Sequence, residues 1–176
     1  FGGGVCNGYS NTVADCTFSN NASAFGGGVY NNDSNTVTDC TFTSNNASTS
    51  GGGVYNNGSN TVTDCTFSGN NASTSGGGVY NGYSSNMVTD CTFTSNNASN
   101  SGGGVYNGYS SNTVTDCTFS NNASAFGGGV CNGYSNTVAD CTFSNNASAF
   151  GGGVYNNDSN TVTDCTFTSN NASTSG

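Results

Sequence analysis

Residues 51–75 read GGGVYNNGSNTVTDCTFSGNNASTS, and the whole chain is built from variations on this unit. Aligning on its Asp-Cys pair gives Cys16, Cys40, Cys65, Cys91, Cys117, Cys141 and Cys165, at steps of 24, 25, 26, 26, 24 and 24 residues. Self-similarity at a fixed period of this length is the signature of a stacked repeat architecture. Length changes fall at two points only. One is the polar turn, where Tyr83-Ser84-Ser85-Asn86 gains a serine over Tyr9-Ser10-Asn11. The other follows the phenylalanine, where Phe42-Thr43-Ser44-Asn45-Asn46 is one longer than Phe18-Ser19-Asn20-Asn21. Insertions confined to fixed points are the loops of a solenoid.

The unit is made of strands. Val-Tyr, Thr-Val-Thr and Cys-Thr-Phe are β-branched or aromatic, with apolar residues near period two. No stretch carries the 3.6-residue spacing of a helix, and Gly-Gly-Gly and Asn-Asn interrupt every unit. About 25 residues suit three short strands and three bends. A single coil cannot bury its own apolar side chains, so stacking must do it, with equivalent residues about 4.8 Å apart. The expectation is an all-β parallel β-helix (β-solenoid) of seven coils, 24–26 residues each. Seven such coils make a rod of roughly 34 Å.

The expected inward set is Val5, Val13, Cys16, Phe18, Ala22 and their equivalents. Val13 and Cys16 are three apart, so both point inward only if the chain bends near Ala14-Asp15. Residues 1–51 are identical to residues 126–176, so five coils form a larger repeat. Residues 1–176 therefore read as a single β-helix segment of a longer periodic chain.

Composition narrows the chemistry. The chain has no Lys, Arg, His, Glu, Pro or Trp, and nine Asp give a net charge of −9. Nothing here neutralises a phosphate backbone, which excludes nucleic acid and an anionic membrane surface as partners. No apolar run approaches the roughly 20 residues of a membrane-spanning helix. Catalytic acid–base pairs need groups in contrasting environments, whereas these Asp and Cys recur in equivalent ones. The expectation is no enzyme, no catalytic residues and no cofactor.

Cys-Thr-Phe-x-x-Asn, then Ala-Ser and Gly-Gly-Gly-Val, together resemble the repeats of the polymorphic outer membrane protein family, in which G-G-A-[ILV] and F-x-x-N motifs alternate. The second motif recurs at Phe18/Asn21, Phe42/Asn45, Phe67/Asn70, Phe93/Asn96, Phe119/Asn122, Phe143/Asn146 and Phe167/Asn170. The resemblance implies a right-handed helix on a surface-exposed or secreted bacterial protein, often an adhesin. The near-identity of the units and the absence of basic residues depart from that family. Residues 1–176 read as repeat throughout, so the membrane barrel that family members carry at the C-terminus is not expected among them.

Several ladders carry candidate chemistry. Asp15, Asp39, Asp64, Asp90, Asp116, Asp140 and Asp164 form a row that is either solvated or bridged by Ca²⁺, which takes oxygen ligands flexibly. No metal site is assigned, since no Cys/His spacing fits zinc. The seven aligned cysteines read as a structural column of buried thiols. Cys6 and Cys131 instead replace the tyrosine of Tyr30 and its equivalents; pairing with Cys16 and Cys141, or linkage between rods, stays open for them. N-x-S sequons at Asn21, Asn46, Asn71, Asn97, Asn122, Asn146 and Asn171 are glycosylation candidates in a eukaryotic secreted chain, with further ones at Asn32, Asn57 and Asn157. The alternative is an asparagine ladder bonded along the stack. Thr-x-Thr rows such as Thr61/Thr63 suit exposed strands and are a feature of ice-binding solenoids. The functional expectation is an extracellular or cell-surface structural rod that self-associates into filaments. Its alternative is an adhesin stalk or a face that binds glycan or ice.

Overall fold

The computed structural model describes residues 1–176 and contains strands and turns but no helix. The chain winds through seven coils, which start at Gly2, Gly26, Gly51, Gly76, Gly102, Gly127 and Gly151 and are numbered 1 to 7 here. Each coil contributes one strand to each of three seven-stranded sheets. The first sheet stacks Val5–Asn7 on Val29–Asn31 and so on to Val154–Asn156. The second runs from Thr12–Ala14 to Thr161–Thr163, and the third from Thr17–Ser19 to Thr166–Thr168. Every pairing in these sheets is parallel, and each residue faces its own equivalent, as Val54 faces Val79 and Phe67 faces Phe93.

Three left-handed corners recur in every coil and turn these strands round the axis. The first is the aspartate before each ladder cysteine, from Asp15 at φ 53° to Asp164 at φ 51°. Asp is among the few L-residues that tolerate this region, because its short carboxylate bonds locally. This is the bend that lets Val13 and Cys16 face inward together. The second corner lies two residues after each phenylalanine, at Asn20, Ser44, Gly69, Ser95, Asn121, Asn145 and Ser169. The third is the first glycine of each triplet.

The triplet Gly76-Gly77-Gly78 shows why three glycines are needed in a row. Gly76 sits at φ +67°. A Cβ on Gly77 would come within 2.3 Å of the Gly103 carbonyl in the next coil, and one on Gly78 within 2.7 Å of the Phe93 ring. Coil-to-coil contact and core packing thus exclude any side chain there.

The core holds one valine from each of the first two sheets, then the cysteine and the phenylalanine. From Phe18 to Phe167 the rings stack at 4.7–4.9 Å and within 7° of parallel. Because Val, Cys and Phe occupy the same place in each coil, one set of contacts is repeated along the rod. That is how a chain with 32% hydrophobic residues still builds one continuous core.

One expectation fails. Ala47, Ala72 and Ala98 are buried, but Ala22 and Ala147 are exposed and Ala123 is only half-buried. Coils 1, 5 and 6 lack one residue between the F-x-x-N asparagine and the alanine. Side chains alternate faces along a strand, so a one-residue slip reverses everything after it. Ala22 accordingly pairs with Asn46, and Ser23 takes the place opposite Ala47. This side of the coil forms a fourth, less regular sheet: Ala22–Phe25, Asn46–Ser50, Asn71–Ala72 and Asn97–Ala98, continued through Ala123 to Ala147–Phe150 and Asn171–Ser175.

Candidate functional site

The polar chemistry of the rod is organised in columns that run along its axis. The F-x-x-N asparagines form the most completely bonded one. Asn70 donates its amide to Asn96 Oδ1 at 3.0 Å and to the Phe42 carbonyl at 2.9 Å. Its own Oδ1 accepts the backbone N–H and the amide of Asn45, each at 3.0 Å. Both donors and both lone pairs are therefore used, which is what a fully buried amide requires. A second buried column, Asn35-Asn60-Asn86-Asn112-Asn136, bonds in the same direction and closes the polar turn through contacts such as Asn60 Nδ2 to the Gly58 carbonyl at 2.7 Å. A third runs from Asn7 to Asn156, each amide donating to the next carbonyl oxygen at 2.9 Å. No buried side-chain polar atom is left without a partner.

The sequons divide on this geometry. Asn21, Asn122 and Asn146 are the F-x-x-N residues of the short coils; Asn122 and Asn146 are buried with their amides engaged. A glycan on either would displace the column, so the folded coil does not present them as acceptors. Asn46, Asn97 and Asn171 point outward, and Asn71 is half-buried. Asn97 donates to Asn71 and Asn71 to Asn46, both at 2.9 Å. Asn32 and Asn157 are exposed in turns, and Asn57 is half-buried.

Cys40, Cys65, Cys91, Cys117 and Cys141 are buried, Cys165 is half-buried and Cys16 lies exposed at the first coil. Each thiol bonds the carbonyl two residues back, as Cys65 Sγ does to Thr63 at 3.0 Å, and so braces the aspartate corner between them. Each sulfur from Cys40 to Cys141 also accepts the backbone N–H of the preceding coil's cysteine at 3.4 Å. All nine thiols are free. Burial pushes Cys40 and Cys165 above the usual thiol range. Burial thus favours the neutral form of these two thiols, and Cys40, Cys65, Cys91, Cys117 and Cys141 pack as part of the core. The aspartate row is exposed throughout. Thr38, Thr63, Thr89, Thr115 and Thr163 each donate a hydroxyl to the neighbouring carboxylate.

The aromatic columns outside the core were not singled out from the sequence, although the recurring tyrosine was the signal for them. Tyr30, Tyr55, Tyr80 and Tyr106 stack at 5.2, 4.6 and 5.1 Å. Burial pushes Tyr80 and Tyr106 up to about 12. At coil 6 this column is interrupted: Cys131 pairs with Tyr106 on one side and with Tyr155 on the other. A cavity of about 280 Å³ opens where the ring is missing. More exposed, Tyr83, Tyr109 and Tyr134 stack along the turns at 6.0 and 5.6 Å.

Parallel sheets, in-register coils and axial ladders define the class as a parallel β-solenoid repeat protein. The chain belongs to the right handed beta helix region family, whose model matches residues 49–175. Residues 39–57 also match the Chlamydia polymorphic membrane protein repeat, in agreement with the resemblance carried by the two motifs. No curated protein and no solved structure matches the chain.

Proposed function

We propose that the chain is a non-catalytic structural rod, extracellular or on a cell surface, that lengthens into filaments by stacking coil on coil. The observation that carries this reading is the direction of the Asn7–Asn156 column. Its six bonds all point the same way and recur at every coil, so any further coil of the same repeat meets a donor with an acceptor. In the inner coils the valines, the cysteine and the phenylalanine of one coil are covered by those of the next through one repeated set of contacts. Coils of a second copy stacked in register would make those same contacts. Strand edges of this kind are templates for pairing.

The absence of basic side chains and the equivalence of the acidic ones support a role without catalysis. Similarity to a repeat of Chlamydia polymorphic membrane proteins supports placement at a cell surface, where the same rod would serve as a stalk. Electron microscopy of residues 1–176 at neutral pH tests the reading. Filaments one coil wide are expected; short discrete particles at every concentration would sink it. Repeating the experiment with a chelator tests the aspartate row, because a bridging cation would make assembly fall when it is removed.

A further inference from the structure

The regular spacing of the tyrosine column gives the cavity at Cys131 a definite shape. Neighbouring rings in the column lie 4.6–5.2 Å apart. Tyr106 in coil 5 and Tyr155 in coil 7 flank Cys131 in coil 6, so their strands are about 9.6 Å apart, or two strand spacings. That leaves one ring position of the column unfilled, in a cavity lined by Tyr106, Cys131 and Tyr155. Phe126 closes the side: its ring meets Tyr155 edge-on at 5.2 Å and stacks on Phe150 at 5.1 Å. Tyr134 stands at the rim, and Ser101 and Asn157 supply polar groups.

We propose that this notch is a binding site for a planar aromatic ring, uncharged or cationic, inserted between Tyr106 and Tyr155 in the place of the missing tyrosine. Aromatic pairs are attractive at centroid distances of 4.5–7 Å, and a ring midway between the two faces meets this on both sides. The volume suits one or two fused rings: an apolar cavity of about 150 Å³ already accepts benzene. Charge selects further. The chain has no cation to pair with an anionic ligand and carries a net charge of −9. Tyrosine faces attract positive charge rather than negative.

Cys131 forms the floor without chemistry of its own, since burial pushes its thiol up to about 11 and keeps it protonated at neutral pH. The site rests on the coil 5 to coil 7 geometry and not on filament formation, so failure of either proposal leaves the other standing. Cys6 holds the equivalent place in coil 1, where Tyr30 supplies one face.

The test is calorimetric titration of residues 1–176, under reducing conditions, with indole as the probe. Methyl glucopyranoside and benzoate serve as comparisons. Indole should bind with one strong site per chain, and benzoate should bind at least about tenfold more weakly. Cys131→Tyr refills the column and should abolish that site while raising the melting temperature. Cys131→Ala should retain it. Replacing one face, with Tyr155→Ala, should weaken binding about two- to tenfold. No indole binding would overturn the proposal. So would equal binding to Cys131→Tyr, which would place indole on the exposed tyrosines instead. Preference for the glucoside over indole would overturn it too, in favour of a carbohydrate site.

Discussion

Two aromatic columns run the length of this rod, and they differ in what they tolerate. The phenylalanine column, from Phe18 to Phe167, is unbroken in seven coils. The tyrosine column beside it is cysteine at Cys6 and Cys131. Phe42, Phe67, Phe93, Phe119 and Phe143 are completely buried, between the glycine triplet and the valines. Losing one leaves a hole that seven rigidly spaced coils cannot collapse to fill. The tyrosines are half-buried on the outer face, where a missing ring opens to solvent. Variation is therefore tolerated only on the outer column, where a missing ring costs the fold less than one lost from the core.

The largest expected effect follows from truncating the inner column. Phe93→Ala should destabilise by about 4 kcal/mol, within the range for a buried phenylalanine, as read from urea unfolding. A much smaller loss would mean that the coils relax and that the two columns do not differ in kind. Next comes the asparagine column against which the phenylalanines are framed. Asn70→Leu strands the Asn45 amide and the Phe42 carbonyl and should cost about 3 kcal/mol. Tyr80→Ala removes a ring from the outer column and should cost only about 1.5 kcal/mol.

Alkaline pH separates the columns without mutation, because phenylalanine does not titrate. Tyr80 and Tyr106 are raised to about 12 by burial from an ordinary value of 10.0. A group whose folded pKa is raised binds its proton more tightly when folded. Its contribution is thus fully present below the unfolded value and is lost as pH rises through the folded one. Unfolding free energy should fall between about pH 10 and pH 12, in step with phenolate absorbance, and the fall should be smaller in Tyr80→Phe. The smallest effect is a gain. Cys131→Tyr should add about 1 kcal/mol by restoring two stacking contacts. A loss instead would show that the notch has a shape no tyrosine can fill.

Much of this architecture was legible in the primary structure because a repeat places every residue beside its own equivalent. The valine, cysteine and phenylalanine columns needed only the alignment, and the bend at Asp15 followed from Val13 and Cys16 both having to face inward. The alanine after the asparagines was misplaced for a physical reason. Its facing depends on how many residues separate it from the F-x-x-N asparagine, and the short coils have one fewer. The same count decides that Asn122 is a buried column member whereas Asn97, in an identical N-A-S sequon, points to solvent. A sequon identifies an acceptor by type and does not contain its phase.

Periodicity and residue type are linear properties, and the number of coils, the parallel in-register stacking and the membership of each column follow from them. Which asparagines are sealed inside, which way the ladders point and the notch beside Cys131 are instead properties of the folded rod. Those depend on left-handed corners and on distances between coils. The physical reason is that facing and spacing are set by contacts some 24 to 26 residues apart, as in the asparagine bonds that join one coil to the next.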